Sequence, residues 1–252
     1  MKQGPLSNRL IYFTFQNLNT YYSHYGLTCS AAAIRVYTTI SLFQESGPGL
    51  TFRGHHMSLV LDKLPLRETS PSAWLDAVLA DFDRFLIDHA ACERKASALA
   101  MSFIAKFSDR VSIIEPMVAL AREELAHFHE VYRLLAKRGL NIGADEKDPY
   151  VQRLLKAVRH GREEHFLDRL LISGVIEARG CERFYMVGDK LGDEGLGPFY
   201  TRLGREEAGH YKIFIRLAQN YFPDTVIRDR LDEVLDLESE IMLSIPHRPA
   251  VH

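Results

Sequence analysis

The chain has 252 residues, 46% of them hydrophobic and 25% charged, with a formal net charge of -2 at pH 7. These values fit an ordinary globular protein of one large domain, with or without an appendage, and exclude the global basic excess that announces a nucleic-acid binder. The three cysteines, Cys29, Cys92 and Cys181, form no CxxC pair; that excludes a zinc ribbon and a disulfide framework and suits a reducing cytoplasm.

Residues 1–56 are rich in Ser, Thr, Tyr and Gly, carry few acidic residues and show no sustained helical period. "ESGPGL" (Glu45 to Leu50) is a loop by composition. The apolar run "LTCSAAAIRVYTTISLF" (Leu27 to Phe43) is studded with Ser and Thr and broken by Arg35, so it is a poor membrane span. No compact apolar core with a cleavage site marks a signal peptide. The expectation is a poorly ordered N-terminal extension over 1–56, native or the product of a start site placed upstream of Met57. The folded unit is then 57–252.

From "SPSAWLDAV" onward the text is strongly helical. Ser70 or Ser72 can cap, and Pro71 suits a first turn. Helices are expected at roughly 71–107, 110–138, 149–160, 163–191 and 195–221, with a last one near 224–243. "FSDR", "KRGLNIGADEKDP", "LGDEGLGP" and "YFPD" separate them. Nothing here alternates with period two, so the expected fold is an all-α bundle.

Two stretches carry chemistry: "AREELAHFHEV" (Ala121 to Val131) and "GREEAGHYKIF" (Gly204 to Phe214). Each holds a Glu and a His three apart, Glu124/His127 and Glu207/His210. Chance alone supplies about one such pair in a chain of this composition, so context decides. In steps of three and four, one helix face reads Leu120, Glu124, His127, Val131, Leu134, and the other Leu203, Glu207, His210, Phe214, Leu217. Both put an acid and an imidazole on the stripe that faces the core. A buried carboxylate costs several kcal/mol unless it is paired or bound to metal. "GREEHF" is a decoy: Glu164 and His165 are adjacent, about 100° apart on a helix.

A dinuclear bundle site needs a further Glu from each of two other helices. If the first hairpin turns near Asp109, the antiparallel neighbour of Glu124 lies near residue 94, and Glu93 is there. If the second turns near Asp193, the mirror of Glu207 lies near residue 179, with Glu177 and Glu182 as candidates. Glu93 precedes Glu124 by 31 residues and Glu177 precedes Glu207 by 30, whereas Glu182 precedes it by 25. Spacing therefore favours Glu177, although "CERK" (Cys92 to Lys95) resembles "CERF" (Cys181 to Phe184). Gly174 and Gly180 beside it imply either a need for room or close helix packing.

Four carboxylates with two imidazoles form a hard O/N donor set that suits iron or manganese and balances two divalent cations. This is the ferritin-like di-metal plan, a four-helix bundle with extra short helices. Basic residues lie at Lys137/Arg138, at Arg153, Lys156, Arg159, Arg162, and at Arg202/Arg205. The middle set, spaced three and four apart, forms a positive stripe that either holds phosphates or is a solvated face with pairs such as Arg159 to Glu163. Phe128, Tyr132 and Tyr211 either stack on a base or pack in the core.

"DHAACERKASA", "AREELAHFHEVYRLLAKRG", "VIEARGCERF" and "GREEAGHYKIF" together resemble the tRNA-(2-methylthio-N6-isopentenyladenosine) hydroxylase family of non-haem di-iron monooxygenases, over roughly Ser72 to Pro246. The resemblance implies O2-dependent hydroxylation of the isopentenyl group on the hypermodified adenosine beside the anticodon of tRNA. Its two iron ions would be held by Glu93, Glu124, His127, Glu177, Glu207 and His210. Two electrons must come from an external reductase or ferredoxin, since the chain shows no Rossmann or flavin motif. The implied setting is cytoplasmic with no membrane association; the oligomeric state is left open. A ferritin-like or rubrerythrin-like iron oxidase or peroxidase and a manganese catalase are the competing readings. The missing CxxC stands against rubrerythrin, and the elaborate link between the two halves against a simple ferritin cage subunit.

Overall fold

The computed structural model of the chain describes residues 65–193 and 195–252; the extension expected over 1–56 lies outside them. Among the described residues there are seven α-helices and no strand: α1 Ser72–Ala80, α2 Phe82–Lys106, α3 Ile114–Lys137, α4 Pro149–Leu155, α5 Arg162–Leu191, α6 Gly197–Gln219 and α7 Asp224–Ser244. A 3-10 turn, Val111–Ile113, leads into α3. None of these helices is long and apolar enough to cross a membrane.

The four long helices make two hairpins, α2 with α3 and α5 with α6. The hairpins meet through side chains such as Phe103 against Phe214, with ring centroids 5.9 Å apart, and His89 against Phe184 at 4.6 Å. This is the ferritin-like bundle. α7 packs on α5 and α4, so α5 is covered on nearly its whole circumference. α5 accordingly reads as a near-continuous buried run, from Leu170 to Val175 and Ala178 to Tyr185.

Local chemistry sets the helix ends, and several depart from expectation. The run 71–107 is two helices. It breaks at Asp81, whose φ of -143° leaves the helical region and whose carboxylate accepts from the Arg84 amide at 3.1 Å, capping α2. Neither Ser70 nor Ser72 caps α1: Pro71 holds the N-cap position and the Ser70 hydroxyl donates to Glu182 instead. α3 closes with Gly139 at φ 70°, and the Leu140 amide reaches back to the Leu135 carbonyl at 3.0 Å. That left-handed exit suits a residue without a Cβ. α4 opens on Asp148, which accepts from the amides of Tyr150 and Val151, with Pro149 in the first turn.

α4 stops at Leu155, five residues short of expectation, and so the basic stripe does not form on one helix. Arg153 lies in α4, Lys156 is its C-cap, Arg159 sits in the connection and Arg162 opens α5. Arg159 turns away from Glu163 to the buried carboxylate of Asp168, which also accepts from Arg230. Two guanidinium groups and the Arg159 amide thus satisfy one acid at the junction of α5 and α7.

The bundle interior is divided into two apolar halves. One holds Phe103, Phe107, Met117, Leu120, Leu170 and Phe214. The other holds Phe85, Leu86, Val131, Phe184, Tyr200 and Leu203. Each long helix passes from one to the other through a polar turn: Leu120 to Val131 by way of Glu124 and His127, and Leu203 to Phe214 by way of Glu207 and His210. A third cluster, with Tyr150, Leu154, Val175, Leu235 and Met242, seals α4 and α7 onto the outer face of α5.

Replacing Asp168 by Ala removes the buried acceptor shared by Arg159 and Arg230 and leaves a void beside the Arg230 guanidinium. The expected loss is about 3 kcal/mol of unfolding free energy, read by urea denaturation of the variant beside the parent; a loss under about 0.5 kcal/mol would contradict the anchoring role.

Candidate metal centre

The polar turns of α2, α3, α5 and α6 face one another at mid-bundle. Glu93, Glu124, His127 and Glu207 each bring one ligand atom within 4.8 Å of the others, and Glu124, Glu177, Glu207 and His210 do the same. All six side chains anticipated from the sequence therefore converge. Glu124 and Glu207 belong to both groups, so a pair of cations held there would share them, with Glu93 and His127 on one side and Glu177 and His210 on the other.

The donor atoms are close, but only His210 Nδ1 and Glu207 Oε2 meet in hydrogen-bonding geometry. His127 Nδ1 lies 3.2 Å from Glu207 Oε1 and 3.7 Å from both Glu93 and Glu124. His210 Nδ1 lies 2.8 Å from Glu124 Oε1 and 2.7 Å from Glu207 Oε2. Yet Glu124 Oε1, His127 Nδ1 and Glu207 Oε1 are buried without a partner in hydrogen-bonding geometry. Buried polar atoms are nearly always satisfied, so a knot of orphaned carboxylate and imidazole atoms at ion-pair distance fits a cation site.

The electrostatics agree. Burial, followed by the Glu207 charge, pushes the Glu124 carboxyl up to about 7. Glu177 is pushed up strongly by burial and by Glu124 and Glu207, and Glu93 is raised mainly by burial. Burial opposes charge on Glu207 as well, but His210 and His127 outweigh it and hold this carboxyl below the usual range. On His127 the carboxylates of Glu124, Glu207 and Glu93 overcome desolvation and push the imidazole up to about 12; His210 is raised for similar reasons. Four acids around two imidazoles are thus short of positive charge, a deficit that divalent cations fill.

Glu182, the competing acid, faces elsewhere. Five residues beyond Glu177 it is turned about 140° around α5. There it accepts from Arg179 at 2.6 Å and from the Ser70 amide and hydroxyl. Arg179 also binds Glu238 of α7, whose carboxylate accepts from the Tyr150 hydroxyl. This is a separate, fully bonded polar cluster. The two glycines divide as well: at Gly174 a Cβ would lie 3.2 Å from Phe214, which is close helix packing, whereas Gly180 opens onto a cavity.

Several supporting residues were not anticipated. His89 donates Nε2–H to Glu93 at 2.6 Å, and its Nδ1 lies 3.1 Å from the Tyr200 hydroxyl. Burial lowers His89 to about 3, which keeps the ring neutral. Glu206 lies 3.2 Å from His127 Nε2 and Glu123 3.5 Å from His210 Nε2. These cross-contacts turn Nδ1 of each ring inward, the arrangement by which outer carboxylates orient ligand imidazoles. The signal was in the doubled Arg-Glu-Glu, whose first glutamate had been assigned nothing.

Alongside the carboxylates lies a cavity of about 380 Å³ between α2, α4 and α5. Glu93, Glu124, Glu177 and Glu207 form part of its wall, with Leu99, Val151, Ile176 and Phe184 supplying apolar surface. Its volume is at the lower end of small-molecule sites.

The sequence-predicted basic residues are mostly engaged within the chain. Arg138 pairs with Asp83, Arg153 donates to Ser244, Arg162 pairs with Asp109 and Arg202 binds Glu130 and Glu206. Lys137, Lys156 and Arg205 are exposed. Of the aromatic candidates, Tyr132 is exposed with Phe128 stacked beside it, while Tyr211 packs against Gly174.

Residues 58–252 match the family described as tRNA-(MS[2]IO[6]A)-hydroxylase (MiaE). The chain belongs to this family. Its relatives include the tRNA 2-(methylsulfanyl)-N(6)-isopentenyladenosine(37) hydroxylase of Pseudomonas putida, 39% identical over 175 residues, or 69% of this chain and 85% of that protein. The Salmonella typhimurium protein of the same name is 36% identical over 132 residues, covering 52% of this chain and 48% of its own length. A solved structure, titled protein 43 with aldehyde deformylating oxygenase activity from Synechococcus, superposes with a TM-score of 0.70 at 30% identity, covering 73% of this chain and 92% of that one. The hydroxylase-family chain therefore has a ferritin-like oxygenase fold whose clustered carboxylates and imidazoles fit a di-iron site.

Because Glu124 and Glu207 serve both groups and the others serve one, removal has graded effects. Glu124→Ala or Glu207→Ala is expected to leave no bound cation after loading, Glu93→Ala or Glu177→Ala about one per chain, and Glu182→Gln two. Metal analysis of desalted protein reads this; equal losses across all five variants would refute the shared arrangement.

Proposed function

We propose that this chain hydroxylates the isopentenyl side chain of 2-methylthio-N6-isopentenyladenosine next to the anticodon of tRNA, at a centre of two irons held by Glu93, Glu124, His127, Glu177, Glu207 and His210. The observation that carries the reading is the junction of that six-residue cluster with an apolar cavity, in a chain of the hydroxylase family. We assign the functional unit to residues 57–252, in line with the family match over 58–252. We assign this chemistry to the cytoplasm on the ground of family membership.

Iron bound there would supply O2 activation. In the overall reaction one oxygen atom enters a C–H bond and the other leaves as water, with two electrons and two protons taken up. No dinucleotide fingerprint is present in the sequence, so the electrons come from an external reductase or ferredoxin. The residues do the rest. Glu93 is fixed by His89, itself bonded to Tyr200, and Glu206 and Glu123 lie at ion-pair distance from the outer nitrogens of His127 and His210, so the donor set is held on rigid helices before substrate arrives. Leu99, Ile176 and Phe184 give a prenyl chain an apolar berth and keep bulk water from the reacting carbon.

The anticodon arm needs cationic contacts around the opening. Lys95 and Lys147 border the cavity, and Lys137, Lys156 and Arg205 are exposed; these are the better phosphate contacts, since Arg138, Arg153, Arg159, Arg162 and Arg202 already bind within the chain. Family membership favours this reading over a rubrerythrin-like peroxidase, a ferritin-like iron oxidase or a manganese catalase.

Incubating iron-loaded protein with O2, a reductant system and tRNA bearing the prenylated adenosine is expected to add one oxygen to that nucleoside, read by mass spectrometry. Protein with two irons per chain that leaves the nucleoside mass unchanged would refute the proposal.

A further inference from the structure

The segment after α7 returns across the bundle and is tied down residue by residue. The Trp74 indole donates to the Ala250 carbonyl at 3.0 Å, the Arg183 guanidinium to the Val251 carbonyl at 2.7 Å, and the Val251 amide to Asp88 at 2.7 Å. Arg183 in turn lies 4.6 Å over the Trp74 ring. Three separate elements, α1, α2 and α5, thus fix a stretch with no helical hydrogen bonds of its own. Such anchoring delivers one side chain to a defined place: His252 lies in the cavity wall, 9% exposed.

The imidazole is held flat against Tyr150, with centroids 5.2 Å apart and planes 3° from parallel. Gly180 opposes it, and a Cβ there would sit 3.8 Å from His252 Nε2. Gly180 lies three residues beyond Glu177, so the ring faces α5 at a position about one helical turn, roughly 4.5 Å of rise, past the residue whose carboxylate joins the cluster. Both ring nitrogens are buried without a hydrogen-bond partner; the nearest acid, Asp148, is 3.6 Å from Nδ1. Burial, helped by the Arg183 charge, lowers this imidazole to about 4 against the opposing pull of Asp148 and the Ile176 backbone. The ring is therefore neutral and carries one donor and one acceptor.

Leaving two buried ring nitrogens unsatisfied costs free energy that a polar edge entering the cavity would recover. The other bare atoms nearby are Asp148 Oδ2, 3.6 Å from Nδ1 and out of bonding geometry, and atoms of the cation cluster. We infer that His252 is a substrate-binding residue, which hydrogen-bonds the heterocycle whose side chain enters the cavity. The assignment rests on the reading of the substrate as an N6-alkylated adenine. Such a base offers an N–H donor on its exocyclic nitrogen and an acceptor on the adjacent ring nitrogen, both next to the carbon chain. A neutral imidazole one helical turn from Glu177 can pair with that edge while the chain points to the metals. Recognition of the base edge then separates the alkylated adenine from any merely greasy group, because an apolar pocket alone discriminates weakly.

The test uses metal-loaded full-length protein and two anticodon stem-loop RNAs, identical except that one carries the methylthio-isopentenyl adenosine and the other plain adenosine. Parent protein is expected to bind the modified RNA more tightly. His252→Phe, which keeps the stacking on Tyr150, should weaken binding of the modified RNA and raise its KM by about tenfold. Its affinity for the plain RNA, metal content and melting temperature should not move. His252→Gln, which restores a donor and an acceptor, should recover most of the loss. Full discrimination in His252→Phe would overturn this assignment alone, and so would loss of metal or a drop in melting temperature in both variants, which marks a structural role. Parent protein that binds both RNAs equally would overturn the substrate reading together with it.

Discussion

Four carboxylates brought together in the middle of an apolar bundle are the constraint around which this protein is arranged. Like charges a few ångströms apart in low dielectric repel strongly, and the chain answers with two imidazoles, raised carboxyl protonation and outer partners. Everything near the cluster serves that balance. His89, braced by Tyr200, secures Glu93; Glu123 and Glu206 place charge at ion-pair distance from the far sides of the two rings. A donor set so expensive to assemble without cations is difficult to explain as packing.

The second polar cluster shows a different solution to the same cost. Arg179, Glu182, Glu238, Tyr150 and Ser70 saturate one another, and nothing there is left bare. Complete satisfaction marks a brace between α5 and α7; incomplete satisfaction marks a place for something to bind. Glu177 and Glu182 are only five residues apart on one helix, yet they fall on opposite sides of this distinction.

The helical stripes of α3 and α6 were legible because their period places acid and imidazole between apolar residues, and hairpin spacing was enough to choose Glu177. The repeated Cys-Glu-Arg was misleading: in α2 its glutamate faces the cluster, in α5 it faces Ser70 and Arg179. The break at Asp81 was missed because a capping aspartate inside a helical pattern resembles any exposed acid. The stripe through Arg153, Lys156, Arg159 and Arg162 assumed a helix that ends at Leu155, and it could not reveal that Arg159 is claimed by Asp168. His89 and His252 were unreadable for another reason. Their roles arise from neighbours 111 residues away in one case and from the path of an irregular segment in the other. No periodic pattern encodes such contacts.

The division of the interior into two oily halves also bears on how stiff the molecule is. Neither half extends through the mid-plane, where side-chain packing gives way to ionic contacts. Cations seated there would clamp α2, α3, α5 and α6 at their waists, like a rivet through four staves. Occupancy and rigidity would then be a single linked equilibrium, so the supply of metal would govern how long the bundle resists prying apart as well as whether it can perform chemistry.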